Sequence, residues 1–172
     1  VVAVGGGNTA LQESLHLAKY VKKLYLVHRR QEFRAESILV EELEHVVKKG
    51  KIELVLDSRV TSIEGKDRVE QAVTLNIKTN QVRTIDCDGV FIFVGMIPNT
   101  GFLKGFVELD EAGFIKCDPW YLRTNVPGVF TAGDCRIGAA MQLATATGDG
   151  VNVAMVLDRY LKAPHWWSKP GP

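Results

Sequence analysis

A glycine-rich turn at the start of the chain constrains the fold more than any other feature of the sequence. Residues 1–10 are VVAVGGGNTA: a short β-branched apolar run leads into three glycines, and a helical pattern begins at Asn8. A buried strand, a tight turn and a helix in this order are typical of the first unit of a doubly wound α/β fold. The stretch also fits the pattern G-x-G-x-x-A, with Gly5, Gly7 and Ala10 at the defined positions.

The three defined positions have separate physical roles. Gly5 permits the tight turn, Gly7 lets a pyrophosphate approach the backbone, and Ala10 lets the helix pack on the strand. The free amides of Asn8, Thr9 and Ala10 then face the phosphates from the helix N-terminus. These residues predict a dinucleotide site, although a tight turn between any strand and helix also uses glycine.

Strands and helices alternate through the first half of the chain, which is the pattern of a doubly wound, Rossmann-like α/β fold. After the first strand, the apolar spacing predicts a helix at 8–20, a strand at 24–27, an amphipathic helix at 35–50 and a strand at 51–56. Three short alternating runs between Arg59 and Ile85 favour an inserted antiparallel meander. A buried apolar strand at 89–95 closes this first domain, which we expect to span residues 1–95.

A linker, MIPNTG, separates this domain from the second half of the chain. Beyond it, the sequence predicts a hairpin at 108–118, a buried strand at 128–134 and a long helix at 142–161 that Gly148 and Gly150 interrupt. The tail, residues 163–172, has two prolines near its end and no periodicity, so we assign it no secondary structure.

A basic cluster after the second strand indicates which nucleotide binds. In NAD-binding folds an acidic residue about 20 positions after the glycines accepts the ribose 2′-hydroxyl. Here the strand ends in HRRQEFR, which contains His28, Arg29, Arg30 and Arg34. Guanidinium groups match the oxygens of a 2′-phosphate, so this exchange favours NADPH over NADH. The alternative is a solvated basic loop without a ligand.

A second candidate ligand site lies in TAGDC and MQLATATGDG. An apolar strand that ends in Gly133 and Asp134 places a carboxylate at the carboxyl edge of a sheet, where it can accept hydrogen bonds from ribityl or ribose hydroxyls. The residues Gln142, Leu143 and Ala144 start a helix whose free amides point at an electron-rich ring edge. Asp134 could equally be a helix cap.

Charge and cysteine content argue against several classes of function. The formal net charge is +1, which does not suggest a nucleic-acid-binding protein or a polybasic membrane anchor, and no apolar run is long enough to span a bilayer. The cysteines Cys87, Cys117 and Cys135 are far apart and form no C-x-x-C, so we expect neither a disulfide framework nor a metal site. Three such thiols fit a reducing compartment, and we expect the cytoplasm.

Five stretches together resemble the low-molecular-weight thioredoxin reductases. They are VGGGNTA, HRRQEFRAE, VGMIPNT, TNVPGVFTAGD and QLATATGDG, and they occur in that family's order and spacing. The resemblance runs from Val1 to about Lys162. It implies that residues 1–95 are an NADPH-binding domain lacking its upstream part, and that residues 96–162 are the returning, carboxy-terminal part of a FAD-binding domain.

The resemblance also implies cofactor contacts. It adds Gly95 to the residues near NADPH. The residues that it places near FAD are Gly133, Asp134, Met141, Gln142, Leu143 and Ala144. The family usually has arginine directly before the glutamine, whereas this sequence has Met141, so a positive charge near the flavin or its phosphates is lost.

The activity that the resemblance implies is the reduction of a thioredoxin disulfide. A hydride passes from NADPH to FAD, and electrons then reach a redox-active C-x-x-C and thioredoxin or a similar small dithiol protein. In the family that cysteine pair lies shortly upstream of the glycine-rich turn, so we expect no catalytic residue in this chain. The chain looks like the carboxy-terminal half of a homodimeric reductase and is expected to be inactive by itself.

Two other functions fit the same residues. A ferredoxin–NADP reductase of similar architecture uses FAD without a dithiol, and a non-catalytic module would hold or sense NADPH. An upstream C-x-x-C distinguishes a disulfide reductase from a ferredoxin–NADP reductase.

Overall fold

The computed structural model describes residues 1–168 of the chain. The chain divides into two compact units, Val1–Gly95 and Met96–Pro172. The strands are β1 Val2–Gly5, β2 Leu24–Val27, β3 Ile52–Val55, β4 Ser58–Glu64, β5 Gln71–Asn76, β6 Val82–Asp86 and β7 Val90–Phe93. The helices are α1 Asn8–Leu17, α2 Ser37–Lys48 and α3 Leu143–Lys162. None of the helices within 1–168 is both long and apolar enough to cross a membrane.

The first unit is built on a parallel sheet with the strand order β3-β2-β1-β7. Alternate side chains of these strands enter two different cores, because successive residues of a strand point to opposite faces. Ala3 and Leu26 pack with α1 and α2 on one face. Val2 and Val27 pack on the other face with Ala72 and other residues of the antiparallel sheet. The prediction of a Rossmann-like α/β unit is therefore confirmed, with the helices covering one face.

The inserted meander is also present, as a three-stranded sheet in the order β4-β5-β6. All its pairings are antiparallel, and the register between β4 and β5 shifts at Val60 and Ser62. This sheet buries Ala72 and Ile85 against the parallel sheet. The insertion thus replaces the second helical layer of the usual doubly wound fold.

The expectation that the last strand of this unit is buried was wrong. The strand β7 pairs with β1 in the predicted position, but Ile92 is 61% exposed and Val94 is 69% exposed. In the part of the chain that the structure describes, β1 is the only strand that pairs with β7, which lies at the edge of the sheet. Apolar residues of an edge strand stay exposed where no layer covers them.

The second unit contains little regular structure before α3. The predicted hairpin at 108–118 is reduced to one antiparallel bridge between Leu109 and Ile115. The predicted strand at 128–134 was wrong: among the described residues it forms one bridge, between Arg123 and Phe130, and then a 3₁₀ turn, Gly133–Cys135. A β-strand forms only where neighbouring strands provide hydrogen-bond partners along its length. A local sequence that favours extended backbone does not by itself provide those partners.

The long helix of the second unit is continuous. It runs over Leu143–Lys162 and passes Gly148 and Gly150 without a break, so the predicted interruption was wrong. Glycine in a helix costs only about 1 kcal/mol relative to alanine, and the neighbouring turns can offset that cost. Beyond this helix the tail forms a 3₁₀ segment, Pro164–Ser168, that buries Trp166; residues 169–172 of the tail are outside the described residues.

Candidate functional site

The glycine-rich turn lies where β1 ends and α1 begins. Gly5 has a φ of +151°, and a Cβ atom at this position would lie 2.4 Å from the carbonyl oxygen of Phe93 and 2.6 Å from Cβ of Ala10. Both distances are far below a normal contact, so the turn needs glycine at position 5 and a small residue at position 10. Glycine at position 5 and a small residue at position 10 therefore allow α1, β1 and β7 to pack closely together.

The middle glycine has a role that the sequence did not reveal. A Cβ atom on Gly6 would lie 2.2–2.5 Å from the ring atoms of His28, whereas a Cβ atom at Gly7 would meet nothing within 4 Å among the described residues beyond its immediate chain neighbours. Gly6 thus accommodates the imidazole beneath the turn, and Gly7 faces open space. The pattern G-x-G-x-x-A leaves position 6 undefined, so no sequence signal marked it.

The N-terminus of α1 has no capping side chain among residues 1–168. Gly7 is the N-cap, no side chain of the described residues caps the helix, and the first turn contains no acidic residue. Asn8 instead bonds to Glu36: its amide donates to the Glu36 carboxylate at 2.8 Å, and the Glu36 N–H donates to its carbonyl at 2.9 Å. The amides of Asn8, Thr9 and Ala10 remain available to an anion.

The basic loop at 28–34 is attached to this turn. The Arg34 N–H donates to the Gly6 carbonyl at 2.8 Å. The side chains of Arg29, Arg30 and Arg34 are exposed. The loop therefore carries three exposed arginines and is joined through its backbone to the turn before α1, an arrangement suited to a phosphate-rich ligand.

His28 differs from the three arginines of the loop. It is 5% exposed, stacks on Phe33 at 5.3 Å, and its Nε2 lies 3.2 Å from the Glu32 carbonyl. Burial lowers the pKa of His28, and the charges of the neighbouring arginines lower it further, against the opposing effect of the Glu32 carbonyl. The neutral ring thus packs between loop and turn. Gly95, the remaining residue of the predicted nucleotide set, is exposed beyond β7 with a φ of +103°.

The predicted second site centres on the 3₁₀ turn at Gly133–Cys135. The sequence did not mark Asp149, which holds this turn in place: its carboxylate accepts from the Gly133 N–H at 2.9 Å and from the Arg136 guanidinium at 2.6 Å and 3.0 Å. The hydrogen bond from Arg136 is the main reason that the pKa of Asp149 lies below its usual value. The Gly-Asp pair at 148–149 resembles the one at 133–134, but only the fold brings the two together.

Asp134 lies in the same turn with an unsatisfied atom. Its Oδ1 is buried and has no hydrogen-bond partner among the described residues. The side chain therefore does not cap a helix through this atom, and the alternative assignment of Asp134 as a cap is not supported. A buried carboxylate oxygen without a donor is costly, and a ligand hydroxyl would satisfy it.

The start of α3 supplies the remaining predicted residues. Gln142 is the N-cap; its side chain makes no capping hydrogen bond within the described chain, and its carbonyl accepts from the Thr145 hydroxyl at 2.8 Å. Leu143 is 86% exposed, Ala144 is also exposed, and Met141 is 37% exposed with a φ of +55°. The first turn of α3 contains no acidic residue, so its amides, like those of α1, can face an electron-rich group.

The three cysteines are free thiols in the described part of the chain. Burial raises the pKa of Cys87 and of Cys117, which favours the protonated thiol. Within residues 1–168, no three side chains of histidine, cysteine, aspartate or glutamate converge as metal ligands would. The thiols of Cys87 and Cys117 are therefore weak nucleophiles at neutral pH.

A strand–turn–helix with free amides and a basic loop at the adjacent strand end defines a dinucleotide-binding protein of the doubly wound class. Residues 1–150 match the family described as pyridine nucleotide-disulphide oxidoreductase, and the chain belongs to that family. The prediction from the motif resemblance is thereby confirmed at the level of the family.

Several of the similar proteins are named thioredoxin reductase. That of Peptoclostridium acidaminophilum is 37% identical over 169 residues, which are 95% of this chain and 52% of the relative. That of Borreliella burgdorferi is 40% identical and is matched over 94% of this chain and 48% of the relative. The crystal structure of Lactococcus lactis thioredoxin reductase in its FR conformation superposes with a TM-score of 0.72 at 34% identity, over 94% of this chain and 52% of that one. The chain spans about half the length of the curated relatives it matches.

Proposed function

We propose that the chain supplies the NADPH site and part of the FAD site of a thioredoxin-disulfide reductase. Residues 1–95 are the NADPH domain and residues 96–162 are the returning part of the FAD domain. The observation that carries the proposal is the hydrogen bond from Arg34 to Gly6, which joins the basic loop to the glycine-rich turn. One ligand can therefore place its pyrophosphate on α1 and a 2′-phosphate on the loop.

The selectivity for NADPH comes from the side chains that the loop exposes. Arg29 and Arg30 directly follow β2, the position at which NAD-binding folds carry an acidic residue. Both guanidinium groups are exposed and next to His28, which anchors the loop beneath the turn. The loop can thus present fixed positive charge to a 2′-phosphate.

The second unit has the features of one side of a flavin site. The partnerless Oδ1 of Asp134 is suited to a ribityl or ribose hydroxyl, and the first amides of α3 are suited to an electron-rich ring edge. Met141 adds no charge there. A flavin supplies two-electron transfer between a nicotinamide and a disulfide, and these residues of the chain would bind and orient it.

The partner in this proposal is thioredoxin or a similar small dithiol protein, as the names of the relatives suggest. We further propose that the full-length reductase is a homodimer in the cytoplasm, by resemblance to the same family. The redox-active cysteine pair is expected outside this chain, since Cys87, Cys117 and Cys135 form no C-x-x-C.

The double variant Arg29→Ala and Arg30→Ala tests the proposal. Each charged hydrogen bond to the phosphate contributes about 1.5–3 kcal/mol, so the affinity for NADPH should fall on the order of a hundredfold or more. The affinity for NADH should change little. Isothermal titration of the 172-residue chain with each nucleotide measures both.

A matched control is the pair Arg59→Ala and Arg68→Ala, which removes two exposed arginines from the antiparallel sheet of the same unit. This control should bind NADPH as the unsubstituted chain does. An equal loss for NADPH and NADH in the Arg29 and Arg30 variant would show that the pair supports the fold and does not bind the phosphate.

A further inference from the structure

The basic loop has a second attachment in addition to the hydrogen bond that joins it to the glycine-rich turn. Gln31 directly follows Arg30, and its side-chain amide donates to the carboxylate of Asp57. The backbone is paired on both sides of Asp57: the His28 N–H donates to Val55 at 3.0 Å, and the Ser58 N–H donates to His28 at 2.9 Å. Asp57 is therefore held against the segment 28–31, which carries the two arginines that the proposed function assigns to the 2′-phosphate.

Asp57 also forms an ion pair with a lysine from the inserted sheet. Nζ of Lys78 lies 3.0 Å from Oδ2 of Asp57; the lysine side chain is 62% exposed and the aspartate side chain is 8% exposed. Lys78 lies in the turn between β5 and β6. Asn76 orders this turn by accepting the N–H of Lys78 at 3.0 Å and that of Thr79 at 2.9 Å, and the Ile77 N–H donates to the Asp57 carbonyl at 2.7 Å.

The position of Asp57 creates an electrostatic conflict with the proposed ligand. Burial by itself would raise the pKa of Asp57, but the hydrogen bonds from Gln31 and Lys78 hold it below the usual value, so the carboxylate is charged at neutral pH. NAD-binding folds select a 2′-hydroxyl over a 2′-phosphate with an acidic group at the end of the second strand, and Asp57 follows β3, the strand that pairs with it. Without compensation, Asp57 would repel the phosphate that Arg29 and Arg30 attract.

We propose that Lys78 is a specificity-determining residue, which cancels the charge of Asp57 so that Asp57 can fix the basic loop without repelling a 2′-phosphate. The inference rests on the proposed binding of NADPH to the first unit. It gives the inserted antiparallel sheet a part in nucleotide selection. Asp57 is then a positioning residue that acts through Gln31, and Lys78 acts through Asp57.

The test is a double-mutant cycle with Lys78→Met and Asp57→Asn. Lys78→Met leaves the Asp57 charge uncompensated, so the affinity for NADPH should fall about five- to tenfold while the affinity for NADH stays within about twofold or rises. Adding Asp57→Asn removes the repulsion and keeps an acceptor for Gln31, so NADPH affinity should return to within about twofold of the unsubstituted chain. Titration calorimetry with NADPH, NADH and adenosine 2′,5′-bisphosphate measures each variant.

A matched control is Lys66→Met, which removes an exposed lysine from the other turn of the same sheet and should change neither affinity. Thermal unfolding shows whether each variant is folded, and Lys78→Gln replaces Lys78→Met if the latter is not. Equal losses for NADPH and NADH, or no recovery in the double variant, would overturn the inference. If the unsubstituted chain binds neither nucleotide, or binds NADH more tightly than NADPH, the proposed function itself is wrong. That outcome is distinct from one in which only the role of Lys78 is wrong.

Discussion

The two units of the chain hold their candidate sites in different ways. In the first unit, the glycine-rich turn is fixed by backbone and core contacts, with Gly5 against Phe93 and Gly6 against His28. In the second unit, α3 buries only Val156 among its described residues, and the 3₁₀ turn beside it depends on the side chain of Asp149. A backbone constraint tolerates almost no substitution, whereas a side-chain contact can be lost at a limited cost.

The same difference appears in the polar groups. In the first unit, Asn8 and Glu36 pair reciprocally, and the groups left for a ligand are the amides at the start of α1 and the exposed arginines of the basic loop. The buried polar side-chain atom that lacks a partner there, among the described residues, is Ser14 Oγ within α1. The second unit leaves a buried carboxylate oxygen of Asp134 without a partner in the described residues. In the first site the candidate ligand groups include exposed arginines, whereas the second site holds a buried carboxylate oxygen that a ligand donor would satisfy.

The largest effect is expected at the glycine turn. Gly5→Ala places a methyl group against the backbone of Phe93 at a φ that alanine rarely adopts, so the first unit should lose roughly 3 kcal/mol or more of unfolding free energy. Gly7→Ala is the matched control, since Gly7 has a φ of −100° and open space around it. It should keep its stability within about 0.5 kcal/mol and weaken NADPH binding about tenfold.

Chemical denaturation and nucleotide titration of both glycine variants measure these effects. A Gly5→Ala variant as stable as the unsubstituted chain would show that the site of the first unit is not fixed by backbone packing, as the comparison of the two units assumes. A Gly7→Ala variant that binds NADPH normally would show that the pyrophosphate does not approach position 7.

Loss of the ion pair between Arg136 and Asp149 in the second unit should lower the unfolding free energy by a smaller amount, which depends on pH. Asp149→Asn weakens the bonds to Arg136 and should cost about 2–3 kcal/mol at pH 7. Because the folded-state pKa of Asp149 is depressed, the contribution is present above the unfolded pKa of about 4 and is lost as the pH falls through the folded value. The difference in unfolding free energy between the two proteins should therefore shrink as the pH is lowered below about 4, which denaturation curves at a series of pH values measure.

Arg123→Lys is not a suitable control for this pair, because Arg123 also contacts the tail. Lys162→Met is suitable: it removes the exposed ion pair with Asp158 in the same unit, which should contribute under about 1 kcal/mol. A cost for Asp149→Asn no larger than for Lys162→Met would mean that the 3₁₀ turn does not depend on Asp149.

The smallest change in stability is expected for the variant Asp134→Ala. Whether this variant is more or less stable than the unsubstituted chain is the informative result. Asp134→Ala removes a buried oxygen that has no partner among residues 1–168, so stability should be unchanged or rise by up to about 1 kcal/mol. Asp118→Ala in the same unit should destabilise instead, since that carboxylate accepts from Arg123 and from the backbone of Tyr121. Thermal unfolding compares the two, and a clear loss for Asp134→Ala would show that the residue serves the fold rather than a ligand.

The sequence by itself determined the features that depend on neighbouring residues. The order of strands and helices in the first unit, the inserted meander and a long helix starting within one residue of Gln142 all followed from apolar periodicity and the positions of glycine. The glycine turn and the arginines after β2 were also visible, because their spacing is a local property of the chain. The resemblance built on these motifs led to the correct family.

Only the tertiary structure decided which residues from distant segments meet. It set His28 beneath Gly6, Asp149 beside Gly133, and Lys78 beside Asp57. It also removed the predicted strand at 128–134 and exposed β7, because a ladder or a covering layer is supplied by other parts of the fold. Local sequence sets the conformations that a segment favours, but hydrogen-bond partners, burial and charge compensation depend on the packing of the whole unit.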